Sequence, residues 1–270
     1  MEDMRNKMNG IMKDIMDTAK DSVERGKVNG IEPLNMLVIA DSHYIGIADH
    51  VCPLIERKCT LALKLLQEVL DTVNNSGTTI DVIALMGDMV DNGNALGAKE
   101  DLLAIKETIK KTKVPVIVAP GNHDGPSEVL LEIFEDYEGV HNIKGYQIIN
   151  FVDKYNEDES ASRCWDKMEE HFSQTVQNKP IIVLQHNPIY PYIDRTYPYN
   201  IREWEKIAQY YSQKGVLLSI SGHAHWGIPV NMKDGTGYLT CPALAESPHR
   251  YLIIKFDGYL YNVEEHKLLC

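Results

Sequence analysis

From residue 34 onward the chain alternates short apolar runs with longer stretches in which apolar positions recur every three or four residues. The runs at 35–40, 80–86, 114–119, 181–185 and 216–221 are short for helices and rich in Val and Ile, so they predict buried strands. Helical spacing fills 54–73, 97–112, 127–136, 162–177 and 201–213. Strands alternating with helices predict right-handed crossovers and a largely parallel sheet. After Gly222 the pattern changes to runs at 237–241, 250–256 and 259–264, the last two joined by Asp257-Gly258, a hairpin signal. These predict a second, mixed or antiparallel sheet packed on the first. The acidic stretch 153–159 predicts a solvated loop.

Ahead of this pattern, Met4, Met8, Ile11, Ile15, Ala19 and Val23 fall at helical spacing. They predict an amphipathic helical appendage over 1–30, followed by a main domain over 31–270. The polar face of that helix balances acids and bases, which disfavours a membrane surface. Packing on its own domain is the plain expectation, and a homo-oligomer contact or a partner-binding helix is the alternative.

Composition narrows the function classes. The chain has 270 residues, 44% of them hydrophobic and 24% charged, which is ordinary for a globular protein. A net charge of -12 without a basic cluster argues against a nucleic-acid polymer as partner, because such binding depends on Lys and Arg neutralising phosphates. A small anionic substrate stays compatible where a bound cation reverses the field inside one cleft. The five cysteines are odd in number, scattered and without a C-x-x-C pair, which fits a reduced cytoplasmic setting. No run approaches the roughly 18 apolar residues of a membrane span, and the charged N-terminus lacks the apolar core of a signal peptide.

The chemistry sits at the strand ends. Strand one is followed by Asp41-Ser42-His43, and the next two by Gly87-Asp88-Met89-Val90-Asp91 and Gly121-Asn122-His123-Asp124. The fourth is followed by His186-Asn187-Pro188 and the fifth by Gly222-His223-Ala224-His225. In open α/β sheets ligands bind outside the carboxyl ends of the strands, so these loops are expected to converge. Five of the ten histidines belong to them. A single histidine after a strand is usually structural; five pieces in order, each at a strand end, are a different signal. Aspartate and imidazole without thiolate suit Mn, Fe or Zn, whereas an all-oxygen set suits Mg or Ca. Two ions about 3.5–4 Å apart need a carboxylate able to bridge them, and Asp88 is the candidate.

The motifs D-x-H, G-D-x-x-D, G-N-H-D, a strand-end His and G-H-x-H resemble those of the calcineurin-like metallophosphoesterases, over residues 36–225 with a closing region to 264. The resemblance implies a four-layer αββα sandwich of two mixed sheets flanked by helices, with a centre for two divalent ions. One ion would be held by Asp41, His43, Asp88 and His225. The other would be held by Asp88, Asn122 through its amide oxygen, His186 and His223. The resemblance also implies attack on phosphorus by a hydroxide bridging the ions. His123 would stand beside the site and give a proton to the leaving oxygen, while Asp91 accepts a hydrogen bond from its other nitrogen.

One departure matters. Protein Ser/Thr phosphatases of this superfamily follow the second aspartate with Arg-Gly, and Asn92-Gly93 here lacks that phosphate-gripping arginine. The expectation therefore moves to the bacterial-type phosphodiesterase and phosphatase branch. The expected reaction is hydrolysis of a small phosphodiester, with cyclic or other nucleotides in view and a small phosphomonoester as the alternative. Residues 188–199 hold four tyrosines and three prolines. Tyr190 and Tyr192 are candidates to stack a base or sugar and Arg195 to contact phosphate, against the reading of a rigid surface loop. Trp226 and Asn94 adjoin motifs and are further candidates for substrate contact. His50, His141, His171, His249 and His266 lie outside every motif and are expected to have surface or structural roles. A scaffold that kept the fold and lost catalysis would have ligand positions replaced, and here every one is present.

Overall fold

The computed structural model describes residues 30–46, 54–135, 137–194 and 196–268, together with positions 13, 18, 20, 21 and 52. The expected appendage over 1–30 lies outside the described residues, apart from Lys13, Thr18, Lys20 and Asp21, which are helical and exposed, and Gly30. In chain order the elements are β1 (Leu34–Ile39), α1 (Ala62–Asn75), β2 (Val82–Leu85), α2 (Ala98–Lys110), β3 (Val116–Val118) and α3 (Ser127–Phe134). The hairpin β4 (Gly139–Ile143) and β5 (Tyr146–Asn150) follows, then the short pair β6 (Lys154–Tyr155) and β7 (Ala161–Ser162). The rest are α4 (Trp165–Ser173), β8 (Ile181–Leu184), α5 (Trp204–Lys214), β9 (Val216–Ser221), β10 (Ile228–Lys233), β11 (Thr236–Thr240), β12 (Arg250–Asp257) and β13 (Leu260–Lys267).

These strands form a five-stranded sheet of order β13-β12-β1-β2-β3 and a six-stranded sheet of order β10-β11-β9-β8-β5-β4. Both are mixed. The side-chain period of two along a strand explains how they stack. In β1, Met36 and Val38 join Ile182, Leu184, Leu218 and Ile220 in an apolar layer between the sheets. Leu37 and Ile39 point the other way and pack with Leu65, Val69, Leu102 and Ile105 of α1 and α2. On the far face of the second sheet, Ile149, Ile181 and Val183 pack with Met168 and Phe172 of α4 and Ile207 and Tyr211 of α5. Complete burial of each such side chain is worth about 1.5–3 kcal/mol. The outcome is helices, sheet, sheet, helices: the four-layer sandwich that the family resemblance implied.

Strand allocation differs from the pattern-based expectation of one largely parallel sheet plus a C-terminal one. The five apolar runs divide between the sheets, with β1, β2 and β3 in one and β8 and β9 in the other. The C-terminal hairpin β12 and β13 returns to the first sheet, where Met36 faces Ile254 and Val38 faces Leu252 across the β1 edge. That closes the edge, and the fully buried β5 starts the second sheet by pairing in parallel with β8. The stretch expected as an acidic loop carries β6, which pairs with β7.

The cysteine expectation is corrected at one pair. Cys52 and Cys59 are joined, whereas Cys164 and Cys241 are free. Among the described residues no helix is long and apolar enough to cross a membrane.

Candidate metal centre

All five predicted loops lie at the carboxyl ends of their strands, and the backbone ties them together. Asp41 donates its N–H to Gly87 O at 3.0 Å, and Gly222 donates to His186 O at 2.9 Å. His223 N–H reaches the Asp41 carboxylate across the gap between sheets, at 3.0 Å from Oδ2. Asp41, His43, Asp88 and His223 all adopt positive φ, between 46° and 68°. Such strain in non-glycine residues costs of order 1–3 kcal/mol each and collects at functional sites. Glycine is needed where backbones close in: a Cβ on Gly222 would stand 2.5 Å from Met86 O.

The side chains gather into two adjoining clusters. Asp41, His43, Asp88 and His225 bring one donor atom each to within 4.8 Å of one another, and Asp88, His186 and His223 do the same. Asp88 belongs to both. Its Oδ2 lies 3.7 Å from His43 Nε2 and 3.4 Å from His186 Nε2. His225 Nε2 is 3.5 Å from Asp41 Oδ1 and 3.2 Å from His43 Nε2.

Two observations test whether these residues fit metal ions. His186 Nε2 and Asn122 Oδ1 are buried without a hydrogen-bond partner, an arrangement that costs about 1–3 kcal/mol per atom unless something else satisfies it. The close approach of two imidazole Nε2 atoms likewise leaves lone pairs that share at most one proton between them. A cation in each cluster would satisfy the imidazole nitrogens among these atoms. The nitrogen and oxygen donors suit borderline ions such as Mn, Fe or Zn.

Charge distribution without cations points the same way. Burial opposes a charge on Asp88 and on His186, yet each stabilises the other: Asp88 is held well below the usual carboxylate range and His186 is raised to about 10. Burial also opposes a charge on His225, but Asp41 and then Glu246 raise it to about 9. Burial, reinforced by the neighbouring His186, lowers His223 to about 4.

The nitrogens facing away from the clusters are all engaged. His186 Nδ1 donates to Met86 O at 2.6 Å, and His223 Nε2 donates to Pro198 O at 2.9 Å. His43 Nδ1 lies 3.2 Å from Asp91 Oδ1, and His225 Nδ1 lies 2.6 Å from Glu246 Oε1. Arg57 enters beside them, with Nη1 3.2 Å from Asp91 Oδ1. Neither Arg57 nor Glu246 stands in a motif, so sequence reasoning missed both. Asp124 was legible within G-N-H-D but was given no role. Its carboxylate accepts the N–H groups of Met89 at 2.6 Å, Val90 at 3.2 Å and Gly121 at 2.8 Å, clamping two loops together.

His123 stands beside the first cluster, its ring 4.8 Å from that of His43 and perpendicular to it. Its Nδ1 donates to the backbone carbonyl of Asp91 at 2.5 Å. The expected partner was the Asp91 side chain, whose Oδ1 instead faces His43 and Arg57. The substrate-loop candidates also differ. Tyr190 packs on Trp204 and Tyr238, and Tyr192 stacks on Trp204. It is Tyr197 and Tyr199 whose rings meet His223, at 5.2 and 6.2 Å, because the loop turns back toward β9. Tyr197 Oη also donates to His223 O at 2.9 Å. Arg195 lies outside the described residues. Of the histidines outside every motif, His171 is buried and stacked on Phe151, and His249 donates to Leu244 O.

Two stacked mixed sheets whose strand ends share one carboxylate between two donor clusters define a metallo-dependent phosphatase-like protein. The chain belongs to the calcineurin-like phosphoesterase family, whose sequence profile matches residues 34–227. It is 28% identical over 173 residues to a protein of Fibrobacter succinogenes named "Probable cyclic nucleotide phosphodiesterase", covering 60% of this chain and 64% of that one. It is 27% identical over 190 residues to a Rhodococcus erythropolis protein of the same name, covering 64% of this chain and 63% of the relative. The chain thus spans somewhat under two thirds of these relatives' lengths. Its fold is similar to that of a dimetal phosphatase from Danio rerio, with a TM-score of 0.66, 12% identity, and coverage of 87% of this chain and 99% of that one.

Proposed function

We propose that residues 31–270 form the catalytic domain of a binuclear metal-dependent phosphoester hydrolase acting on a small phosphodiester, with nucleotides the favoured class. The observation that carries the reading is the pair of clusters sharing Asp88, with His186 Nε2 buried without a hydrogen bond 3.4 Å from Asp88 Oδ2. In this reading Asp41, His43, Asp88 and His225 hold one divalent ion, and Asp88, Asn122, His186 and His223 hold the other. Bound ions of the Mn, Fe or Zn kind would supply Lewis acidity and activate water near neutral pH.

The chain's own groups do the rest. Asp88 sets the spacing of the two clusters. His123, its Nδ1–H held by Asp91 O, keeps Nε2 for the substrate. As the oxygen of a water bonds to phosphorus and the P–O ester bond breaks, Nε2–H of His123 would give its proton to the leaving oxygen. Beside His223 and His225, Tyr197 meets the ring of Trp226 edge to face at 5.3 Å, and Trp226 is 51% exposed. Such an aromatic edge suits a planar base, and the printed names of the bacterial relatives support the same substrate class.

The segment 1–30 is read as a helical appendage that packs on the domain or joins two copies. A cytoplasmic setting is part of the proposal, supported by the free thiols of Cys164 and Cys241; the Cys52 to Cys59 bridge is the feature that favours an oxidising compartment. The test compares turnover of bis- and mono-p-nitrophenyl phosphate and of cyclic nucleotides with Mn added, for wild type and Asp88→Asn. Diester hydrolysis that disappears in Asp88→Asn supports the reading. Preference for the monoester favours a phosphatase, and equal rates in both proteins refute a metal-dependent hydrolase.

A further inference from the structure

The two clusters are backed by different groups. In the cluster of His186 and His223 the outward ring nitrogens meet backbone carbonyls, of Met86 and Pro198. In the cluster of His43 and His225 they meet carboxylates, of Asp91 and Glu246. A carboxylate accepting the outward N–H of an imidazole fixes its tautomer and raises the basicity of the inward nitrogen. Both inward atoms here are Nε2, and they lie 3.2 Å apart.

One side chain links the two carboxylates. Arg57 Nη1 lies 3.2 Å from Asp91 Oδ1, and its Nε lies 3.9 Å from Glu246 Oε1. The guanidinium is 13% exposed and Asp91 1%. Backbone pairing holds the link in register: Arg57 and Glu246 form an antiparallel bridge. Lys58 N–H donates to Ala245 O at 2.8 Å, and Ala245 N–H donates to Asp41 O at 3.1 Å. The segment before α1 and the segment after β11 are thus tied to each other and to a candidate ligand.

We propose that Glu246 and Arg57, acting with Asp91, are positioning residues for the ion held by Asp41, His43, Asp88 and His225. Glu246 orients His225, Asp91 orients His43, and Arg57 holds the two carboxylates at fixed separation and offsets part of their charge. Among the described residues the imidazoles of the other cluster meet backbone carbonyls instead of carboxylates, so loss of these residues acts on one ion alone. The inference rests on the reading of these clusters as metal sites.

The test is titration of metal-free protein with Mn²⁺ against a chromogenic chelator, on wild type, Glu246→Gln, Arg57→Met and Arg57→Lys, with thermal melts of each metal-free protein. Glu246→Gln is expected to weaken one of two ions by about 10–100-fold and leave the other unchanged. Arg57→Met weakens the same ion by a smaller factor, and Arg57→Lys restores part of the loss. The metal-free melts fall, because Glu246 holds the His225 proton in the metal-free chain and Arg57 offsets the buried charge of Asp91. The readout that separates positioning from mere structure is the selective loss of one ion, which a general loss of stability would not produce. Wild-type affinity for both ions in Glu246→Gln and Arg57→Met overturns the proposal. So does an equal loss of both ions. Wild type that takes up no ion at all removes the metal-site reading itself, which separates the two failures.

Discussion

Gly121→Ala is the sharpest probe of the shared carboxylate. Gly121 does not have a left-handed φ, so alanine brings no backbone strain and the whole effect comes from the added methyl. That carbon would stand 2.2 Å from Asp88 Oδ1, 2.6 Å from Asp88 N and 2.8 Å from His186 Cε1. Carbon contacts are comfortable near ~3.5 Å, so the neighbours must retreat by roughly 1 Å. The Asp88 backbone is tied to His43, whose N–H donates to Asp88 O at 2.8 Å, so both the carboxylate and the loop that carries it have to yield. Overpacking of this kind costs about 1–3 kcal/mol, a fall in Tm of about 2–10 °C for a chain of this size. A misplacement of ~1 Å in catalytic groups costs on the order of 10²-fold in rate. The assay measures metal content by elemental analysis, turnover of a p-nitrophenyl diester with Mn added, and thermal melting. Gly215→Ala is the control: φ is +69° with nothing within 4 Å of the new methyl, so it costs about 1 kcal/mol of stability and leaves metal uptake intact. Two bound ions and wild-type turnover in Gly121→Ala would refute Asp88 as a donor common to both clusters.

Other outcomes follow from the same geometry. His123→Ala should lower kcat by about 10²–10⁴-fold while both ions still bind; a loss below tenfold removes His123 as the proton donor. His225 and His186, raised to about 9 and about 10, hold protons in the metal-free folded chain that the unfolded chain releases near pH 6.5. Their stabilisation is therefore complete below about pH 6.5 and lost as pH rises through 9 and then 10. Chelator-treated protein should show a Tm that falls from pH 6.5 to 10, with a flatter profile when Mn displaces those protons; a flat chelator profile contradicts the assignment. Trp226→Ala should raise KM for a cyclic nucleotide by about 2–10-fold with kcat kept, in line with the loss of one aromatic contact of ~0.5–1.5 kcal/mol. An unchanged KM removes the aromatic edge as a base-binding surface.

Legibility followed the range of the interactions. The strands and helices were readable because their apolar period is local. The hairpin of β10 and β11 turns on Asp234-Gly235, both at positive φ. This is the same signal that revealed Asp257-Gly258, so β10 could have been found. The turn between β4 and β5 uses Lys144-Gly145, also at positive φ, and Lys is a poor marker of a left-handed position. Tyr190 and Tyr192 stand nearer His186 along the chain than Tyr197 and Tyr199 do. The loop instead turns so that Tyr197 and Tyr199 face the site.

By itself the sequence determined which side chains could act as donors, because each stands in a short motif at the end of a strand and local backbone geometry aims it. It also carried the implied sandwich, through the order of those motifs. Only the tertiary structure decided which sheet each strand joined and which distant residues back the donors. Arg57 and Glu246 meet because a segment near residue 57 pairs with one near 246 after β1 and β12 align. Such a meeting depends on long-range pairing, and no local period or spacing records it.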